Sequence, residues 1–123
     1  MYENHGWHPK NGKLLTWYET GEKRLECTYS NGRRIGTAIR YYPDGSPDRI
    51  YNYQKGKLHG KFEIFYADHS KFAEGKCVHG ELDGEVICWD PETKKPEVTS
   101  VYENGVLIRG VEFDTMYQRW YRK

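Results

Sequence analysis

At 123 residues the chain holds one domain's worth of core and not two. Its formal net charge of +1 excludes a global field that would draw it to nucleic acid or to an anionic membrane. Hydrophobic residues make up only 37%, yet aromatics reach 15% with eleven Tyr and four Trp, so the expected core is built from rings more than from Leu and Ile.

Charge is unevenly spread along the chain. Residues 1–62 carry eleven Lys/Arg against six Asp/Glu, a net of +5, whereas residues 63–123 carry eight against twelve, a net of −4. Either this is ordinary surface scatter, or the molecule is a bipolar rod whose oppositely charged ends meet partners or further copies of itself. Cys27, Cys77 and Cys88 lack a ligand-type spacing and read as buried free thiols. Cys77 and Cys88 flank one expected hairpin, and a bridge between them would need Cα atoms within roughly 7 Å. The first residues contain no apolar signal segment, and no run approaches the ~18–20 apolar residues of a membrane span. A soluble, cytoplasmic protein is expected.

In chain order, residues 1–12 read as an N-terminal cap or a decayed repeat, since YEN at 2–4 recurs at 102–104. His5 and His8 have a conceivable ligand spacing there, but no Cys or carboxylate cluster completes a site, so no metal is expected. Residues 13–28 form a partial unit with WYETG at 17–21, which lies 24 residues before YYPDG at 41–45. Three full units of 24 residues follow, at 29–52, 53–76 and 77–100. Their glycines fall in two sets, Gly32, Gly56 and Gly80, then Gly36, Gly60 and Gly84. A partial unit at 101–116 repeats the pair as Gly105 and Gly110, one residue farther apart, and residues 117–123 form a tail.

The segments between glycines are short, rich in Tyr, Ile, Val and Phe, and bounded by turn chemistry such as Asn31-Gly32, Asn104-Gly105 and Pro43-Asp44-Gly45. Each unit therefore reads as a β-hairpin, and the whole as an all-β, elongated antiparallel meander of stacked hairpins with a short helix or strand as C-terminal cap. Alternation places Ala38, Arg40 and Tyr42, then Phe62, Ile64 and Tyr66, then Val86, Cys88 and Asp90 on the core face. On the other parity lie Thr37, Lys61 and Glu85, then Ile39, Glu63 and Ile87, and an aromatic column of Trp17, Tyr41, Phe65 and Trp89. That column is either a stacking ladder between hairpins or an exposed binding face.

The pattern Y-x-x-G-x-x-x-G followed by an aromatic pair and D-G, as in QKGKLHGKFEIFY and YSNGRRIGTAIRYYPDG, resembles a MORN repeat. It is most similar to the variant found in antitoxin-like proteins of bacterial toxin–antitoxin and polymorphic-toxin loci. The resemblance covers residues from about 13 to 117. It implies hairpins in an elongated twisted sheet and a role in binding or scaffolding rather than catalysis. The acidic-glycine turn is missing from ADHS at 67–70 and from WDPETKKPE at 89–97, which departs from the pattern.

Nothing in the residues argues for an enzyme. Asp68, His69 and Ser70 are adjacent and cannot converge as a triad, so they read as a turn. No phosphate loop, dinucleotide fingerprint or nucleophile elbow occurs, no cofactor is expected, and a thin sheet offers few pockets. In the tail, Tyr117, Trp120 and Tyr121 share one side at helical spacing and are expected to cover the last sheet edge, with a partner-binding or membrane-surface tail as the alternatives. The expected function is an antitoxin- or immunity-like binder of another protein, with Trp17, Tyr41, Phe65, Trp89, Lys61, Glu85, Trp120 and Tyr121 as the contact residues. The alternative is a MORN-type scaffold at a membrane surface or in a larger assembly such as a virion.

Overall fold

The computed structural model describes residues 8–122, so the His5 and YEN readings at the N-terminus, and Lys123, lie outside the described residues. Among the described residues, eleven antiparallel strands form one open sheet: β1 (Gly12–Trp17), β2 (Lys23–Ser30), β3 (Arg33–Tyr41), β4 (Pro47–Gln54), β5 (Lys57–Leu58), β6 (Gly60–Phe65), β7 (Lys71–Val78), β8 (Glu81–Leu82), β9 (Gly84–Trp89), β10 (Pro96–Glu103) and β11 (Val106–Gly110). The order across the sheet follows the chain, with the short β5 beside β4 and β8 beside β7. A helical turn α1 (Phe113–Met116) then runs into a π-helical turn (Tyr117–Tyr121). The architecture is the expected all-β meander of hairpins.

Two alternating kinds of turn make the meander. On one side of the sheet, Asn31-Gly32, Lys55-Gly56, His79-Gly80 and Asn104-Gly105 each place two successive residues at positive φ. That is the requirement of the two-residue type I′ turn, whose twist matches the strands it joins. On the other side, Tyr18 N donates to Glu22 O, and the same bond recurs from Tyr42 to Ser46 and from Tyr66 to Ser70, at 2.7–2.9 Å. Gly21 and Gly45 supply positive φ in the first two of these turns and His69 takes φ 79° in the third, while a fourth connection, closed one residue longer by Asp90 N to Lys95 O at 3.0 Å, has Lys94 at φ 63°. The chain therefore still turns at 89–97, through a longer loop, and the turn missing from the sequence pattern at 67–70 is present in the structure. Asp68 holds it, since Ser70 N and Oγ both donate to Asp68 Oδ1, and the adjacent Asp-His-Ser group is a turn.

The sheet has two unlike faces. Ala38, Phe62, Ile64, Val86 and Cys88 are buried as alternation required, with Phe72, Ala73 and Cys77 beside them. Phe62 lies opposite Gly75, whose missing side chain makes room for the ring; a Cβ there would come within 3.0 Å of it. Cys27, Cys77 and Cys88 are buried free thiols, and burial pushes Cys88 up to about 11. The C-terminal turns do not cover the last sheet edge. They fold back over the inner face, where Met116 is buried and Phe113, Tyr117 and Tyr121 pack on the Phe72 ring at 5.3–6.1 Å between centroids. Three rings gain far more contact there than on an edge that exposes mainly backbone.

Glycine is indispensable at Gly110, where φ is 93° and a Cβ would overlap the Thr99 carbonyl and Ser100 Cα. Gly36 shares the positive φ, at 69°, but has open space around it. Gly110→Ala is therefore expected to cost well over 1 kcal/mol, against about 1 kcal/mol for Gly36→Ala. Urea titrations of both variants check this, and equal midpoints would show that the close approach at Gly110 relaxes freely.

Candidate partner-binding faces

Successive hairpins are joined at both ends of their strands. At the type I′ side, Gly32 N donates to Lys10 O, Gly56 N to Arg34 O, Gly80 N to Leu58 O and Gly105 N to Leu82 O, all at 2.8–2.9 Å. At the other side the hydroxyls of Tyr18, Tyr42 and Tyr66 donate to the carbonyls of Tyr41, Phe65 and Trp89, each at 2.6 Å. Opposite Tyr41 and Trp89 stand Pro47 and Pro96, which have no N–H to offer. Side-chain rungs reinforce the tyrosine side: His69 Nε2 lies 2.9 Å from Asp44 Oδ2, and Lys94 Nζ donates to Asp68 Oδ2. Those contacts hold the Asp44 and Asp68 carboxyls well below the usual carboxylate range.

This ladder sets the aromatic column on the open outer face. By register the row runs Trp17, Lys23, Tyr41, Pro47, Phe65, Lys71, Trp89, Pro96. The rings are thus separated by an intervening strand rather than stacked on one another. Lys71 Nζ sits 6.0 Å from the Phe65 centroid and 5.4 Å from that of Trp89, and 2.8 Å from both Glu63 and Glu74. Lys23 lies 5.7 Å from the Tyr41 ring, and Glu26 accepts from both Lys23 and the Tyr41 hydroxyl. Each lysine is a cation shared by ring faces and carboxylates, which holds the rings at fixed positions. Trp17, with 53% of its surface exposed, ends the row. Lys61 and Glu85 are exposed on the same parity, and Lys61 lies 3.9 Å from Glu63.

Trp120 and Tyr121 are brought elsewhere, onto the inner face. Trp120 packs against the core, and Tyr121 donates to Asp48 Oδ1 at 2.5 Å while its oxygen lies 3.3 Å from an Arg49 nitrogen. His8 stacks on Tyr29 at 4.5 Å, and the His59 and His79 rings lie 5.1 Å apart. The residues that sequence reasoning missed are the inner-face arginines around Arg34 and Arg49. The available signal was Arg40, a charge in a column that alternation assigns to the core.

Residues 10–31 and 34–55 match the model of the MORN repeat variant. Each match is one hairpin, β1–β2 and β3–β4, and the matches begin 24 residues apart, the period of the ladder. Two stretches in the first half of the chain are thus similar to the MORN repeat variant, and the same turns and tyrosine bonds continue the geometry beyond them. No curated protein matches the chain.

Burial raises the phenols of Tyr42 and Tyr66 well above their ordinary value near 10.0. In the unfolded chain they ionise near 10, whereas folding keeps them neutral to higher pH. Their contribution is complete below that value and is lost as pH rises above it. The melting temperature is expected to fall steeply above about pH 10, and Tyr66→Phe to cost about 1 kcal/mol at neutral pH. Thermal melts across the alkaline range, with tyrosinate absorbance followed in parallel, check both; ionisation of every tyrosine before any unfolding would contradict the assignment.

Proposed function

We propose that the protein is a non-catalytic binding module that occludes a partner protein with its outer face, in the manner of an antitoxin or immunity protein of the cytoplasm. The observation that carries this reading is the row of Tyr41, Phe65 and Trp89, kept on the open face by Lys23 and Lys71 and ending in an exposed Trp17. Aromatic side chains dominate binding energy because they bury a large area for few lost torsions. Rings pinned in register by a hydrogen-bonded ladder are already in place, so little further ordering is required on contact. Lys61 and Glu85 add charges of both signs beside the row, suited to fixing orientation more than affinity. Among the described residues no helix is long and apolar enough to cross a membrane.

The test is a pull-down from native lysate followed by titration of the recovered partner with wild type, Phe65→Ala and Trp89→Ala. Variants that stay folded are expected to bind more weakly by roughly 1–3 kcal/mol, the range for loss of an aromatic anchor. If they bind like wild type, while charge reversals in loop 90–97 or in the C-terminal turn abolish binding, the outer face is not the contact surface. Salt-sensitive co-sedimentation with anionic vesicles in place of any protein partner would favour the scaffold reading instead.

A further inference from the structure

The inner face is one surface with two chemistries. Over β6 to β10 it is apolar and covered by the chain's own C-terminal turns. Over β2 to β4 the cover is partial, with His8 stacked on Tyr29 and with Tyr117 and Tyr121 reaching Arg49, and between them lies a cleft of about 200 Å³ lined by Arg24, Arg34, Arg40 and Arg49 with Tyr51 and Tyr53. The arginines occupy the same repeat positions as the covered core. One 24-residue period separates Arg34 from Leu58, Arg40 from Ile64 and Arg49 from Ala73, and two periods separate Arg24 from Phe72. Four positions that are apolar in the covered half are cationic around the cleft, at whose margin Arg49 touches the C-terminal turns.

Arg34 and Arg49 are incompletely answered among the described residues. The Arg34 side chain, half-buried, hydrogen-bonds among the described residues only to the phenol oxygens of Tyr29 and Tyr53, at 3.2 and 3.4 Å. Arg49 donates to the Tyr117 and Tyr121 hydroxyls, and its buried Nε has no hydrogen-bond partner; the nearest carboxylate, Asp48, is 3.6 Å from it. Each guanidinium has five N–H donors, and neutral phenols offset a buried positive charge only weakly. Arg40 stands directly across from Arg49 on the neighbouring strand, so like charges face each other without an acid between them in the register. Carboxylates placed along the cleft would satisfy the forked donors in their preferred bidentate geometry. The arginines are spread over three strands rather than converging on one point, and Leu25 and Ala38 line the floor between them. That layout fits several acidic side chains with apolar stems better than a single compact ion. The C-terminal turns show, on the other half of this face, that a short segment is what the surface accepts.

We propose that the basic half of the inner face is a docking site for an acidic segment of a partner protein. The site rests on the protein-binding reading above only in taking the partner to be a protein, and it lies on the opposite face from the aromatic row. The test measures fluorescence anisotropy of a labelled Glu-rich dodecapeptide with the full chain, at matched ionic strengths. Wild type is expected to bind, and the double variant Arg34→Gln/Arg40→Gln to bind at least about tenfold more weakly. Arg40→Gln alone, at an exposed position, guards against loss of fold and is expected to weaken binding at least about threefold. Lys10→Gln and Lys57→Gln, exposed lysines outside the cleft, should stay within about twofold of wild type. The proposal is overturned if the peptide does not bind, or if the lysine variants lose as much affinity as the arginine ones. It is also overturned if inorganic phosphate displaces the peptide where equal ionic strength of chloride does not, or if phosphatidylserine vesicles bind through the same arginines and the peptide does not. Because probe and variants belong to the inner face, failure here leaves the outer-face titration untouched, and the reverse.

Discussion

Hydrogen bonds that leave one hairpin and end in the next hold this molecule in register. A glycine N–H does so on one side of the sheet and a tyrosine hydroxyl on the other, once per repeat. A single-layer sheet with 37% hydrophobic residues has little apolar surface to bury, so strand alignment cannot rest on core packing alone. A one-residue slip would turn every inward residue outward, and bonds at both ends of each strand pair oppose that slip directly. Stability then accumulates unit by unit, as in other stacked repeats.

The ladder also accounts for the division of the two faces. Because each hairpin adds the same two parities, the outer face receives the ring column and its lysines, and the inner face receives the buried column. Among the described residues, 113–121 form the segment that packs as a second layer, over the β6 to β10 part of the inner face. Apolar residues concentrate under that cover, while Arg49 meets its margin and Arg34 and Arg40 lie beyond it, as the cost of exposing one and burying the other requires.

The turns show where residue identity ends and context begins. Gly21 and Gly45 mark their turns openly, whereas His69 and Lys94 adopt the same left-handed conformation without a residue that prefers it. The surrounding bonds, Tyr66 N to Ser70 O and Lys94 to Asp68, hold the chain in that conformation. A repeat can thus lose its glycine and keep its turn, because its neighbours on either side impose the geometry.

The sequence by itself determined the hairpin period, the all-β class, the parity that buries Phe62, Ile64 and Val86, and the aromatic row on the opposite face. These follow from short-range rules, since glycine spacing sets the turns and period-two alternation sets the faces. Only the tertiary structure decided where the C-terminal aromatics go, that lysines separate the rings, and that Arg34, Arg40 and Arg49 share one cleft. Those outcomes depend on which distant residues meet across strands and on which half of a face a nine-residue segment covers. Such contacts join positions up to 79 residues apart, as between Tyr42 and Tyr121, and leave no periodic trace in the chain.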